Sequence, residues 1–395
     1  MNPFIIKGYG GKRFFCNRER EAERILNAIK NKRDITLVSL RKMGKTGLIF
    51  HIFETLRKEK VIEPVYLDIY HTEDLNGIIN KLATSLYRMK KSFGQQMKDF
   101  FLNFRFVRPV VSIDSLTGLP AVSFHISGEK EAIHTLEDLF AIIAERSRKI
   151  PIVVAIDEFQ QIANYPEKNT EALIRGLTQS LTRVNFLYSG SNKTMLFRMF
   201  GEASRPFYQS TEMIYLEEIA EKEYTPFIIE HFKRNSRMID EGLVEEILRL
   251  TRRHTWYSQY FCNKLFETGQ NINKEIFLSI FRNILLENEP FYLEFRNLLT
   301  RYQWQLLKAF AHSGGSESVT SGDFIKKYNI TNASTVKRGI DSLLEKEIIF
   351  KKDKQYFVYD VFFSRWLETQ EILYFLIVFF RSLTTTTRQP AAIML

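Results

Sequence analysis

The chain has 395 residues, of which 45 % are hydrophobic and 26 % charged, with a formal net charge of +10. That length exceeds one ordinary domain, and that apolar share excludes a disordered chain. Cys16 and Cys262 are the two cysteines and the seven histidines show no ligand spacing, which excludes a disulfide framework and a cysteine-based zinc site and points to a reducing compartment. The basic balance favours acidic partners, nucleic acid ahead of an anionic membrane. The opening Met1-Asn-Pro-Phe-Ile-Ile-Lys-Gly lacks the basic and long apolar regions of a secretory signal, so a cytoplasmic location is expected.

The first predicted element is a helix over 17–30, with Asn17 as its cap, acids in the first turn and an apolar stripe at Ala22, Ile25, Leu26 and Ile29. An apolar strand then starts at Asp34 and runs through Ser39-Leu-Arg41-Lys42-Met43 into Gly44-Lys45-Thr46, and the spacing of Leu48, Ile49, Ile52, Phe53 and Leu56 predicts a helix after it. A loop between strand and helix turns backbone N–H groups toward phosphate. Lys45 would meet the β and γ phosphates of a nucleoside triphosphate, and Thr46 would offer its hydroxyl to Mg²⁺. Ser39 stands where the full phosphate-loop pattern has glycine. A Cβ at that position leaves two outcomes: the loop keeps an allowed geometry, or phosphate affinity falls.

Residues 64–70 read as a buried strand and 74–89 as a helix. Two β-like runs, 104–113 and 121–126, flank Asp-Ser-Leu-Thr-Gly-Leu-Pro and predict an inserted hairpin near 104–126. A helix over 135–148 leads into Ile152-Val-Val-Ala-Ile-Asp157-Glu158, whose acids complement the loop. Asp157 would hold the metal through its water shell, and Glu158 would orient and deprotonate an attacking water. A helix over 169–182 and a strand over 185–191 follow. If that strand neighbours the phosphate-loop strand, Ser191 and Asn192 reach the γ-phosphate; the same pair would serve equally well to cap a helix over 193–200. The alternation implies an α/β P-loop NTPase fold, a parallel sheet with helices on both faces. ATP is expected rather than GTP, because the nearest string to a guanine-reading Asn-Lys-x-Asp is Asn192-Lys193-Thr194-Met195.

Beyond residue 218 the pattern is helical over 220–233, 241–251, 255–267 and 273–287. Three short helices over 301–311, 321–328 and 332–344, then a hairpin over 348–359 turning at Asp353-Lys354, predict a winged helix. Its third helix presents Asn332, Ser334, Thr335, Lys337 and Arg338 to a major groove, and its wing carries Lys351, Lys352 and Lys354 toward phosphates, so duplex DNA is a candidate partner through 332–354. The same module also serves as a protein-docking unit. Its 11 lysines and arginines against seven acids over 299–367 leave only +4, and Asp341 and Glu345 stand on the candidate recognition helix. Ile372 to Phe380 is an apolar run of nine, short of the roughly 17 residues a membrane span needs, so no stable membrane insertion is expected and the run is read as packed on the body. The expected domains are 1–217, 218–298, 299–367 and an apolar tail over 368–395.

Across Phe15 to Trp366 the chain resembles the archaeal-type ATPases of the STAND group, within the AAA+-like P-loop class. The residues that carry the resemblance are Asn17-Arg18-Glu19, Ser39-Leu-Arg41-Lys42-Met43-Gly44-Lys45-Thr46, Asp157-Glu158-Phe159-Gln160 and Ser189-Gly190-Ser191. Asn17 and Ser39 depart from glycines in the family pattern. The resemblance implies Mg²⁺-ATP as cofactor, a helical lid, and a switch in which nucleotide state changes how the lid and winged helix act. It adds Arg18 to the nucleotide-binding residues and places Arg205, in Ser204-Arg-Pro-Phe207, near the γ-phosphate; a surface arginine before proline is the simpler alternative. The client stays open, as do turnover against binding alone and use of the core as a homo-oligomer platform.

Overall fold

The computed structural model describes residues 2–89, 104, 107–115, 117–315, 318–330 and 333–370. The described chain falls into two units, one of residues 5–219 and one of residue 220 onward together with the N-terminal residues through Phe4.

The first unit is built on a five-stranded parallel sheet. In chain order its strands are β1 (Ile35–Val38), β2 (Glu63–Asp68), β5 (Ile152–Asp157), β6 (Val184–Gly190) and β7 (Glu212–Tyr215), and in space they run β2-β5-β6-β1-β7. Every residue of β1, β5 and β6 is buried, the mark of a parallel sheet covered on both faces. The period of two sorts their side chains between two cores. Val153, Ala155 and Leu187 pack with Ile25 and Ile29 of α1 (Glu19–Lys30) and with Leu48, Ile49, Ile52, Phe53 and Leu56 of α2 (Lys45–Glu59). Val154, Ile156 and Tyr188 pack on the other face with α3 (Leu75–Arg88) and α4 (Glu129–Ser147).

The inserted hairpin is β3 (Pro109–Ile113) with β4 (Pro120–Phe124). Helices α5 (Thr170–Gln179) and α6 (Lys193–Gly201) flank β6. Four sequence expectations change. Asn17 does not cap α1: Asn17 and Arg18 both lie in the left-handed region, so Arg18 takes the cap position and Asn17 Oδ1 accepts from the Arg18 N–H at 2.6 Å. Helix α4 begins six residues before the expected 135, because Gly128 in extended backbone precedes two acids that suit a first turn. Strand β7 was not expected, since four residues with Ile214 as their single buried side chain give little periodicity to read. Of the strand expected over 104–113, Pro109–Ile113 is strand, while residues 105 and 106 lie outside the described residues.

In the second unit α7 (Glu221–Lys233), α8 (Glu241–Leu250) and α9 (Thr255–Glu267) follow the expected spans, while α10 (Lys274–Leu298) runs 11 residues past 287 and carries Pro290 inside it. Tyr292 and Phe295 on that extension stack against Phe363, which holds the segment helical beyond the proline. Phe4 is buried here too, its ring against Phe232 and Phe266 and its carbonyl accepting from Asn263 at 2.8 Å. Helices α11 (Arg301–Ser313), α12 (Gly322–Lys327) and α13 (Ala333–Glu345), the hairpin β8 (Ile349–Lys352) with β9 (Gln355–Val358), and a helix α14 over 361–370 complete the described chain. The hairpin turns at Asp353 and Lys354, both left-handed, as a two-residue loop requires. Asn332 and the tail from 371 lie outside the described residues. Among the described residues no helix is long and apolar enough to cross a membrane.

Candidate functional site

Strand β1 lies between β6 and β7, and its pairing of Val38 with Gly190 puts the loop after β1 beside the loop after β6. Strand β5 pairs with β6 in turn, so the carboxyl ends of the three strands meet at one edge. That is where an open α/β sheet offers a ligand site. Gly44, at φ 95°, sits in the left-handed region immediately before α2, a conformation that a side chain would strain. Lys42, at φ 60°, is the other left-handed residue of the loop. Ser39 is fully buried and outside that region, and its hydroxyl donates to the Leu40 carbonyl at 2.8 Å. A serine therefore fits the first position of the loop. Met43 is buried, and the Arg41 guanidinium lies 5.8 Å from the Tyr70 ring centre.

Lys45 is 5 % exposed, donates to the Leu40 carbonyl at 3.4 Å and lies 3.9 Å from Glu158 Oε1. Burial pulls its ammonium below the ordinary lysine range while Glu158 and Asp157 oppose the shift. A buried cation at the start of a helix is the kind of feature that suits a phosphate.

Asp157 is held by four donors. Its Oδ2 accepts from Thr46 Oγ1 at 2.8 Å and from Tyr66 OH at 2.9 Å, while Oδ1 accepts from the Glu158 N–H at 3.1 Å and from the Ser189 hydroxyl. Burial first, then the charge of Asp157, push the Tyr66 phenol well up, so it stays protonated and donating. Thr46 and Asp157 supply oxygen ligands only, the donor chemistry that suits Mg²⁺. Among the described residues no group of three or more His, Cys, Asp or Glu side chains makes a metal cage.

Glu158 follows directly, at φ 57°. Its Oε2 accepts from Ser191 Oγ at 2.7 Å, from the Ser191 N–H at 3.2 Å and from Gln160 Nε2 at 2.5 Å. Lys45, Thr46, Asp157, Glu158 and Ser191 thus form one connected cluster. Asn192 takes the cap instead, its Oδ1 accepting from Met195 N at 3.0 Å. Arg18 is 5 % exposed and engaged with Glu21 at 2.9 Å and the Glu217 carbonyl at 2.6 Å. Arg205 pairs with Glu171 of α5, and among the described residues no contact joins it to Lys45, Asp157 or Glu158. Sequence reasoning missed Tyr66 altogether, and named Ser189 and Gln160 within the motifs that carry the resemblance without giving either a role. Tyr66 and Ser189 reach Asp157 from neighbouring strands, and strand order is not written in any local pattern.

A family model described as a probable winged helix domain matches residues 290–369. No curated protein matches the chain in sequence. A Walker-type ATPase of Pyrococcus abyssi superposes with a TM-score of 0.65 at 15 % identity, covering 93 % of this chain and 99 % of that one. The chain has the P-loop NTPase fold of this Walker-type ATPase and ends in a winged helix. The ORC2 protein of Aeropyrum pernix, in complexes with ADPNP and ADP, is similar at a TM-score of 0.55 and 14 % identity, covering 94 % of this chain and 98 % of that one. In this Walker-type fold the loop of residues 39–46 and the acids at 157 and 158 stand at the carboxyl edge of the sheet.

Proposed function

We propose that the chain binds Mg²⁺-ATP at the loop of residues 39–46 and hydrolyses it, and that the nucleotide state governs a contact between its winged helix and duplex DNA. One observation carries the reading. The Thr46 hydroxyl and the Asp157 carboxylate lie 2.8 Å apart beside a buried lysine that faces Glu158 at 3.9 Å, the four groups phosphoryl transfer needs.

In this reading the loop N–H groups and Lys45 hold the β and γ phosphates. Thr46 and Asp157 would hold Mg²⁺, which would supply positive charge against the phosphates. Glu158 Oε1, the carboxylate oxygen that accepts no hydrogen bond among the described residues, takes a proton from water as the water oxygen bonds to the γ-phosphorus. The bond between that phosphorus and the β–γ bridging oxygen breaks, its electron pair leaves with ADP, and inorganic phosphate is the second product. The DNA part rests on the winged-helix match and on exposed Lys337, Arg338, Lys351 and Lys354. Arg18 pairs with Glu21 and Arg205 with Glu171, and neither has a step here.

Calorimetry and phosphate release test the site. Lys45→Ala should weaken Mg²⁺-ATP binding by about two orders of magnitude, the worth of a charge-assisted contact of roughly 3 kcal/mol. Glu158→Gln should keep affinity and lose about 10² to 10⁴ in turnover, the usual contribution of a positioned base. Unchanged affinity in Lys45→Ala removes the nucleotide from this loop.

A further inference from the structure

Gln160 hydrogen-bonds Glu158, and neither the phosphate-loop pattern nor the reaction assigns it work. It is 8 % exposed, so burying its amide requires partners on both ends. Nε2 has one, the Glu158 carboxylate at 2.5 Å. Its Oε1 is buried and accepts no hydrogen bond among the described residues. The fold therefore bears the cost of an orphaned carbonyl to keep this amide against Glu158.

The opposite wall of the same contact is Gly190. A Cβ built there would stand 1.9 Å from Gln160 Oε1 and 2.9 Å from Leu196 Cδ1. Gly190 ends β6, paired with Val38, and is not among the glycines in the left-handed region. Space and not backbone freedom calls for glycine at this position.

We propose that Gln160 is a positioning residue for Glu158, and that Gly190 is the gap that lets it reach the carboxylate. The inference rests on the reading of Glu158 as the general base. Ser191 and Gln160 together give Oε2 three donors, and that end of the carboxylate is fixed. Oε1 is then turned to the Lys45 side, where the γ-phosphate and its attacking water would lie. A base held this way begins each turnover aimed; with one donor removed it swings about the Ser191 contact.

The test uses the full chain and measures ATP affinity by calorimetry and turnover by phosphate release. Gln160→Ala should lower kcat by about 10- to 100-fold, the cost of a misplaced catalytic group, with the Kd for Mg²⁺-ATP unchanged. Gly190→Ala alters neither contact partner but evicts the amide, and should give the same loss. The double variant should be no slower than either single one, because both remove one contact. A wild-type kcat in Gln160→Ala overturns the proposal, as does a parallel loss of affinity and kcat or a multiplicative loss in the double variant. If instead the wild type shows no turnover, or Glu158→Gln is as fast as wild type, the general-base reading itself fails and this inference goes with it.

Discussion

At position 39 the phosphate-loop pattern asks for glycine and the chain supplies serine. The substitution is tolerated because the left-handed turn is made three and five residues later, at Lys42 and Gly44, where φ is 60° and 95°. Of the two outcomes the sequence left open, an allowed geometry is the one observed. Lys45, Thr46, Asp157 and Glu158 were legible because each stands at a fixed offset from a strand end. The contacts of Tyr66, Ser189 and Gln160 with those acids were not, because they are made only across strands or through a space left by a glycine. Asp34, at the other end of β1, is a residue whose consequence is measurable. Its Oδ1 accepts from Phe186 N at 2.8 Å, and burial, opposed by that N–H and by Arg175, raises its carboxyl to about 6. The native state therefore holds this proton more tightly than the unfolded chain. Stability falls as pH rises from about 4 to about 6 and stays reduced above that. Asp34→Asn keeps an acceptor for Phe186 and removes the buried charge. We expect it to stabilise the protein at pH 7.5 by about 1 kcal/mol, a value discounted for partial solvent access, or roughly 2–4 °C in Tm. The gain should vanish near pH 4. An equal Tm difference at both pH values would show that the Asp34 charge is not the cause.

Among the elements, legibility followed length and turn chemistry. The wing was readable from two alternating runs around Asp353-Lys354, and α2 from five apolar positions on one face, all of them buried. Strand β7 and the second half of α10 were not readable: the first draws its order from pairing with β1, and the second from aromatic packing that overrides Pro290. The crossing of α11 and α13 is a third case of tertiary demand on sequence. Gly339 sits within α13, and a Cβ there would meet Leu306 Cδ1 at 2.6 Å and Tyr302 Cε1 at 2.8 Å. Glycine in a helix costs about 1 kcal/mol in propensity, so close approach of the two helices must be worth more. Gly339→Ala should destabilise the protein by about 1–2 kcal/mol, an overpacking penalty reduced by the propensity gain. Calorimetric unfolding checks it. A higher melting temperature in the variant would mean that the helices have room to spare.

For the molecule as a whole, ATP chemistry and duplex contact are read from different units of the chain, and only an experiment with both ligands joins them. In α13 Ser334, Lys337 and Arg338 are exposed, and in the wing Lys351 and Lys354 are exposed with Lys352 half-buried. The wing lysines lie on a two-stranded ribbon and suit phosphates, which attract without reading sequence. The helix residues suit base edges. The two groups should therefore fail in different ways. Replacing Lys351, Lys352 and Lys354 by alanine should weaken binding to every duplex and flatten the dependence of log affinity on log salt by at most about 2.7, at roughly 0.9 for each lost phosphate contact. Arg338→Ala should leave that slope within about one unit of wild type and change the ranking of duplex sequences. Fluorescence anisotropy on mixed duplexes across a salt series, with and without Mg²⁺-ATP, reads both effects on the full chain. A shift in affinity between the nucleotide-bound and nucleotide-free protein, lost in Lys45→Ala, is the expected sign of coupling. Binding no tighter than about 10⁻⁴ M in either state, the weak limit of nonspecific contact, would end the DNA reading and leave the acids Asp341 and Glu345 on α13 to be explained by a protein partner.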